Sequence, residues 1–307
     1  MLDYSILIGG RAGDGIDKAS LIIAHLLSSL GYKVFVSRDY PSLIRGGHTF
    51  SIIRISDEKI ASYREKIDIL IALNFETLEK HRFLLKEGCF YIYDSDNFKD
   101  NGSFCGTGVP LKTILKEENA PEFVKNSCLI GSFCKAAGIE WEILEKTLKK
   151  SITKEIEINL KVAKRGYDIS REFFKIEKIS QISLPVLTGN EALGLGFIKG
   201  GLDVYIGYPM TPSSALLHFL ASVGPESSIK VIHPENEIAV ILMALGFAYA
   251  GKKSAVGTSG GGFCLMNEGL SLAGMAEIPV VIVLGQRTGP STGLPTYTGQ
   301  TELFYAI

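Results

Sequence analysis

Three stretches close together in the chain decide its fold: GYPMTPSS at residues 207–214, HPENEIAVILMALGFAYAG at 233–251 and GTSGGGF at 257–263. In the first, Pro209 and Pro212 stiffen a turn that offers the Thr211 hydroxyl. In the second, Glu235, Asn236 and Glu237 open an apolar helix over Ile238–Ala250. In the third, Gly260, Gly261 and Gly262 follow a β-branched run, where missing side chains permit close backbone approach. Glu237 directly precedes the apolar run and is expected to point inward. Glu235 fits a first-turn acid matched to the helix dipole, a role open to Glu237 as well. A purely structural reading makes Thr211 the cap of a helix starting at Pro212 and the glycines a flexible strand-to-helix turn.

Working outward, short strand-like runs alternate with longer helical patterns. Ser5–Ile8, Val34–Ser37, Phe50–Ile55, Ile67–Leu73 and Phe90–Tyr93 read as strands, and Asp17–Leu30 reads as a helix. After residue 188, Val204–Ile206, Lys230–Ile232, Ser254–Val256 and Val280–Leu284 read as strands with helices between them. This is the rhythm of α/β domains with mostly parallel, covered sheets. Residues 140–178 are rich in Lys and Glu, with Trp141, Leu144 and Leu148 at helical spacing. They predict two helices, the second near Glu157–Phe174, running into a linker at Lys175–Pro185. Two α/β domains follow, at residues 1–178 and 186–307.

The 307 residues are 46% hydrophobic with a formal net charge of −1, and mean hydropathy is +0.20. Such a chain buries a sizeable core and lacks the basic excess that would argue for nucleic acid or an anionic membrane. Ile238–Ala250 falls short of the about 20 apolar residues a bilayer span needs, and the start MLDYSILIGG lacks a basic region before its apolar run. Five scattered cysteines without a CxxC pair predict reduced thiols in the cytoplasm, with neither a zinc site nor an iron–sulfur cluster in this chain.

Two further motifs stand in the first half. Gly9-Gly10-Arg11-Ala12-Gly13-Asp14-Gly15 follows the first strand and opens a helix. Its spacing is not GxGxxG and no acidic residue ends the next strand, so a tight turn is favoured over a dinucleotide site. Gly13-Asp14-Gly15 imitates the metal motif of thiamine-diphosphate proteins, but the first asparagine in the chain is Asn74, and no metal is assigned to Asp14. Arg38–His48 packs Arg38, Arg45 and His48 into a loop framed by Pro41, Gly46 and Gly47. For any one of these residues an ion-paired loop suffices. As a whole the segment reads as a contact to a ligand or another subunit.

Together these residues resemble a known family. Residues 188–295 resemble the pyrimidine-binding thiamine-diphosphate domain of the alpha subunit of 2-oxoacid:ferredoxin oxidoreductases. The matching pieces are Gly189-Asn190-Glu191-Ala192, the block at 208–214, Glu-x-Glu-Ile-Ala at 235–239, Thr-Ser-Gly-x-Gly-Phe at 258–263 and Gly-Pro-Ser-Thr-Gly-Leu-Pro-Thr at 289–296. Residues 4–176 resemble the gamma subunit or domain, through the glycine motif at 9–16, Tyr-Pro-Ser-Leu-Ile-Arg-Gly-Gly-His at 40–48 and the helix with Asn159, Gly166 and Tyr167.

The resemblance implies oxidative decarboxylation: a 2-oxoacid, coenzyme A and oxidised ferredoxin give acyl-CoA, carbon dioxide and reduced ferredoxin. It implies that Glu237 hydrogen-bonds the ring nitrogen of the cofactor's aminopyrimidine and that Thr211 sits beside the substrate. Pro209, Ser259, Gly260 and Gly261 would line the cofactor, while Arg45, His48 and Tyr297 would contact substrate or coenzyme A. Thiamine diphosphate would be shared with a beta subunit that brings the magnesium and the iron–sulfur cluster, and the assembly would be oligomeric. Fused gamma–alpha chains fit 2-oxoglutarate best as substrate, with pyruvate and branched-chain 2-oxoacids left open. Tyr297 stands where relatives commonly carry a basic residue, and Ile307 falls inside what reads as a helix, so a fragment, a truncated product or a split subunit is expected. A non-catalytic assembly or regulatory protein that keeps the family fold is the alternative.

Overall fold

The structure is a computed structural model that describes residues 2–39, 47–97 and 105–286. The chain divides into two units, Met1–Val186 and Leu187–Ile307.

In the first unit, strand β1 (Asp3–Arg11) leads through the glycine turn into helix α1 (Ile16–Ser29). Gly13 at φ 98° and Gly15 at φ 75° take left-handed conformations that allow the chain to reverse within the turn. Then come β2 (Lys33–Asp39), β3 (His48–Ser56), β4 (Ile67–Ala72), α2 (Phe75–His81), β5 (Leu85–Asp94) and β6 (Cys105–Val109). Helices α3 (Leu111–Glu117), α4 (Lys125–Ala136), α5 (Trp141–Ser151) and α6 (Ile156–Ile169) complete it. The sheet order is β2-β3-β1-β4-β5-β6. The α/β architecture is the expected one, yet this sheet is mixed: β3 runs antiparallel to both β1 and β2, while β1, β4, β5 and β6 are parallel neighbours. Only eight residues separate the end of β2 at Asp39 from the start of β3 at His48, and a connection that short permits only an antiparallel pair.

Alternate residues of β1 face opposite layers. Ile6 and Ile8 pack with α1, α4, α5 and α6, whereas Leu7 joins Leu70, Ala72 and Leu78 of α2 on the other face. Helix α1 follows β1 on one face and α2 follows β4 on the other, so β1 and β4 flank a switch point of the sheet. The glycine turn and residues 73–74 lie at its carboxyl edge.

Helix α6 ends at Ile169, short of the expected Phe174. Phe173 and Phe174 leave the helix to pack on Phe90, with ring centroids 4.6 and 5.3 Å away. The expected linker is largely anchored to the first unit. Ile176 is buried in its core, the Ile179 and Ser180 amides donate to the Leu30 carbonyl, and Ser28 Oγ donates to the Leu184 carbonyl. Apolar side chains inside a Lys/Glu-rich stretch supply the burial that turns a linker into a strap.

In the second unit, α7 (Gly189–Lys199) starts with a capping box between Thr188 and Glu191. It is followed by β7 (Val204–Gly207), α8 (Ser214–Ser227), β8 (Lys230–Ile232), α9 (Glu237–Tyr249), β9 (Ser254–Ser259), α10 (Gly260–Leu265), α11 (Asn267–Met275) and β10 (Val281–Gly285). The sheet order is β10-β9-β7-β8, parallel throughout. Every residue of β7 and β9 is buried, with α9 against one face and α8 against the other.

Candidate active site

All strands of the second unit point the same way, so the turns after β7, β8 and β9 meet at one edge. Asn236 sets the start of α9. Its backbone is extended (φ −162°) and its side chain accepts from the Ala239 amide at 2.9 Å. This cap makes Glu237 the first helical residue and turns it inward, 4% exposed, while Glu235 remains exposed.

The glycine run is not a loop. Gly260, Gly261 and Gly262 form the first turn of α10. A Cβ on Gly262 would stand 2.1 Å from Thr258 Oγ1 and 2.9 Å from Glu237 Oε1, so only glycine lets α10 lie against that carboxyl group. Glu237 Oε1 is buried without a hydrogen-bond partner. Unpartnered buried polar atoms are rare because each forfeits its hydration.

Thr211 is exposed and does not cap α8, which begins at Ser214 after Ser213. The Thr211 carbonyl accepts from Ser259 Oγ at 3.1 Å, which ties the turn after β7 to the end of β9. Asn190 Nδ2 of α7 donates to the Pro212 carbonyl at 3.2 Å and braces the same turn. Pro209 is exposed, Ser259 and Gly260 are buried, and Gly261 is half-buried. A cleft of about 650 Å³ beside Pro209 is lined by residues of α8 and β8 and by His233, and does not reach Glu237. The structure thus gathers Pro209, Thr211, Ser259, Gly260, Gly261 and Glu237 on one edge, and adds Asn236, Thr258 and Gly262. A charged first turn followed by a Gly-rich strand end signals these three in the sequence. The clash that requires Gly262 shows only in the packing.

In the first unit, His48 opens β3 and its Nε2 lies 2.8 Å from Nε2 of His81, the last residue of α2. Burial holds both rings below the ordinary histidine range, with His81 at about 4. His81 escapes sequence reading because its partner lies 33 residues away on another element. Asp14 is occupied: Lys125 Nζ reaches it at 2.8 Å and the Arg11 amide donates to it at 3.0 Å. Arg45 and Tyr297 lie outside the described residues. All five cysteines are free. Among the described residues no helix is long and apolar enough to cross a membrane, and no group of three or more His, Cys, Asp or Glu could hold a metal.

Residues 5–169 match the family model of pyruvate ferredoxin/flavodoxin oxidoreductase, and residues 195–307 match the thiamine-diphosphate-binding domain of pyruvate flavodoxin/ferredoxin oxidoreductase. The alpha subunit of 2-oxoacid:ferredoxin oxidoreductase 2 of Aeropyrum pernix is 32% identical over all of this chain and 59% of its own length. The 2-oxoglutarate oxidoreductase subunit KorA of Mycobacterium tuberculosis is 29% identical over 98% of this chain and 53% of its own. A solved 2-oxoglutarate:ferredoxin oxidoreductase from Magnetococcus marinus, with 2-oxoglutarate, coenzyme A and succinyl-CoA bound, superposes with a TM-score of 0.86 at 31% identity, covering 100% of this chain and 56% of that one. The chain therefore spans little more than half the length of these relatives. With both halves matched in order and the glycine, Glu237 and Thr211 turns in place, the chain belongs to the 2-oxoacid:ferredoxin oxidoreductase family.

Proposed function

We propose that this chain is the gamma–alpha part of a 2-oxoacid:ferredoxin oxidoreductase that oxidatively decarboxylates 2-oxoglutarate to an acyl-CoA and passes the electrons to ferredoxin. The observation that carries this reading is the buried, unpartnered Oε1 of Glu237 against Gly262. A carboxyl group in that setting is suited to a ring nitrogen supplied from outside the chain.

The residues present fit the aminopyrimidine end of thiamine diphosphate. Glu237 would hold or move a proton at the ring nitrogen. Gly260 and Gly261 would give backbone access beside the ring, with Ser259 fixing the floor through its bond to the Thr211 carbonyl. Thr211 would present its exposed hydroxyl to the reacting end of the substrate. When bound, thiamine diphosphate supplies the electron sink that makes loss of carbon dioxide feasible. Its diphosphate end needs a metal, and the described residues gather no ligand set for one. A beta subunit would complete that half, carry the iron–sulfur cluster and assemble with this chain into an oligomer. Free thiols throughout fit a cytoplasmic enzyme. The preference for 2-oxoglutarate rests on the relatives named for it and on the ligand in the Magnetococcus enzyme.

Co-expression with a beta subunit and 2-oxoacid-dependent viologen reduction tests the reading. Turnover fastest with 2-oxoglutarate is expected. An assembled complex that binds thiamine diphosphate yet turns over no 2-oxoacid would leave the chain a non-catalytic member of the family.

A further inference from the structure

The turn between β7 and α8 has each of three successive carbonyls met by a side chain. Ser213 Oγ donates to the Met210 carbonyl at 2.7 Å, and the Ser214 amide reaches the same oxygen at 3.2 Å. Ser259 Oγ, at the end of β9, donates to the Thr211 carbonyl at 3.1 Å. Asn190 Nδ2, from α7, donates to the Pro212 carbonyl at 3.2 Å. The first turn of α8 hangs on the Ser213 carbonyl, which takes the Leu216 and Leu217 amides at 3.0 and 3.4 Å. The Pro212 carbonyl is thus left to Asn190.

Local chemistry brings Asn190 there. The capping box between Thr188 and Glu191 fixes the start of α7 and places Asn190 in its first turn. Gly194 follows four residues later, on the same face of the helix. A Cβ at Gly194 would lie 2.4 Å from Phe219 Cδ1, so α7 rests on α8 through bare backbone and comes within reach of the turn. At the end of β10, a Cβ at Gly285 would lie 3.2 Å from the Ser213 amide nitrogen and 3.3 Å from Pro212 Cγ. Elements distant in the sequence therefore converge on this turn.

Thr211 stands between two held peptide planes. The Pro212 ring fixes φ of the following residue, and a held Pro212 carbonyl fixes its ψ as well. Thr211 is β-branched, so few χ1 settings remain to its hydroxyl. We propose that Asn190 is a positioning residue for Thr211: it locks the Pro212–Ser213 peptide from α7 and so sets the direction in which exposed Thr211 offers its hydroxyl to the reacting end of the 2-oxoacid. The consequence for the substrate rests on the reading of Thr211 given above, whereas the clamp does not.

Two measurements keep the clamp and the substrate reading apart. Asn190→Asp keeps the size of the side chain and suits the first turn of a helix, but its carboxylate cannot donate. Asn190→Leu removes the polar group altogether. In the full chain with ¹³C-labelled threonine methyls, Thr211 should hold one χ1 rotamer. Both variants should average it while leaving the methyl of buried Thr258 unmoved. An averaged Thr211 in the wild-type chain, or a rotamer unchanged in both variants, overturns the proposal. In the assembled enzyme, both variants should lower kcat/KM for 2-oxoglutarate about 10-fold, the upper weight of one neutral hydrogen bond. Exchange of the cofactor's C2 proton, which depends on Glu237, should stay at the wild-type rate. Thr211→Val should slow the same turnover, and adding Asn190→Asp to it should lower kcat/KM no further. A parallel loss of C2 exchange, or losses that multiply in the double variant, overturns the positioning role. A Thr211→Val enzyme as fast as wild type refutes the substrate reading of Thr211, and the methyl rotamers then decide the clamp.

Discussion

The two sheet edges of this protein differ in how they treat buried polar groups. In the first unit the charged and titratable groups pair with one another: Asp14 meets Lys125, and His48 Nε2 meets His81, although His48 Nδ1 is itself buried without a partner. In the second, the carboxyl-bearing Glu237 is buried more deeply than Asp14 or His48, and its Oε1 meets nothing. Ile238, Leu242 and Tyr249 of α9, with Leu265 and Met275 of the following helices, are exposed. A buried group with a partner holds a structure together. One without a partner weakens it, and persists where something from outside completes it.

The largest expected effect breaks the open edge. In the assembled enzyme, Glu237→Gln should slow exchange of the cofactor's C2 proton by about 10²- to 10⁴-fold, the usual contribution of an acid–base group, with folding and assembly nearly unchanged. Glu235→Gln, at the same helix end but exposed, is the control. If both exchange as fast as wild type, Glu237 is only a helix-end charge, for which a loss of roughly 0.3–1 kcal/mol in stability is expected instead.

Next come two glycines that set close approaches. A Cβ on Gly131 of α4 would stand 2.0 Å from the Ala163 carbonyl oxygen of α6, and backbone cannot step aside cheaply. Gly131→Ala should therefore cost about 3 kcal/mol, the upper end of ordinary overpacking, and lower the melting temperature of the first unit. Gly262→Ala meets mainly side chains, Thr258 and Glu237, and should cost about 1–3 kcal/mol. It should also depress activity by displacing the carboxyl group, which calorimetry and turnover on the same preparation would separate.

The histidine pair gives a pH signature. His81 has a folded pKa of about 4, below the unfolded value of about 6.5. The unfolded chain therefore binds more protons between these limits, and stability rises with pH across them. The first unit should melt progressively lower as pH falls from 6.5 towards 4, and His81→Gln should flatten that slope. The smallest effect is a gain: Gly246 of α9 has open space around its missing Cβ, so Gly246→Ala should stabilise by about 0.5–1 kcal/mol. A destabilised Gly246→Ala chain would show that this exposed helix face is already covered.

Much of the fold was legible because its signals are local. Strand Lys230–Ile232 has the expected limits, and the helix expected at Ile238–Ala250 runs over Glu237–Tyr249. Period-2 and period-3.6 burial leave their mark in any short window. Strand β6, Cys105–Val109 with the sequence CGTGV, escaped notice because its glycines carry little strand signal. Helix α4 escaped because Ser127, Gly131 and Ser132 interrupt its apolar pattern. Their reason is the crossing with α6, where Ser127 bonds Asn159 at 2.7 Å.

By itself the sequence determined the α/β class and the inventory of turns that carry Pro209, Thr211, Ser259, Gly260, Gly261 and Glu237, since each depends on residues adjacent in the chain. Only the tertiary structure decided the antiparallel edge of the first sheet, the strap at 173–184, the use of Gly260–Gly262 as helix rather than loop, and the pairing of His48 with His81. These depend on which distant surfaces meet. Whether a polar group is buried with a partner or without one is a property of the packed chain, and no window of sequence contains both partners.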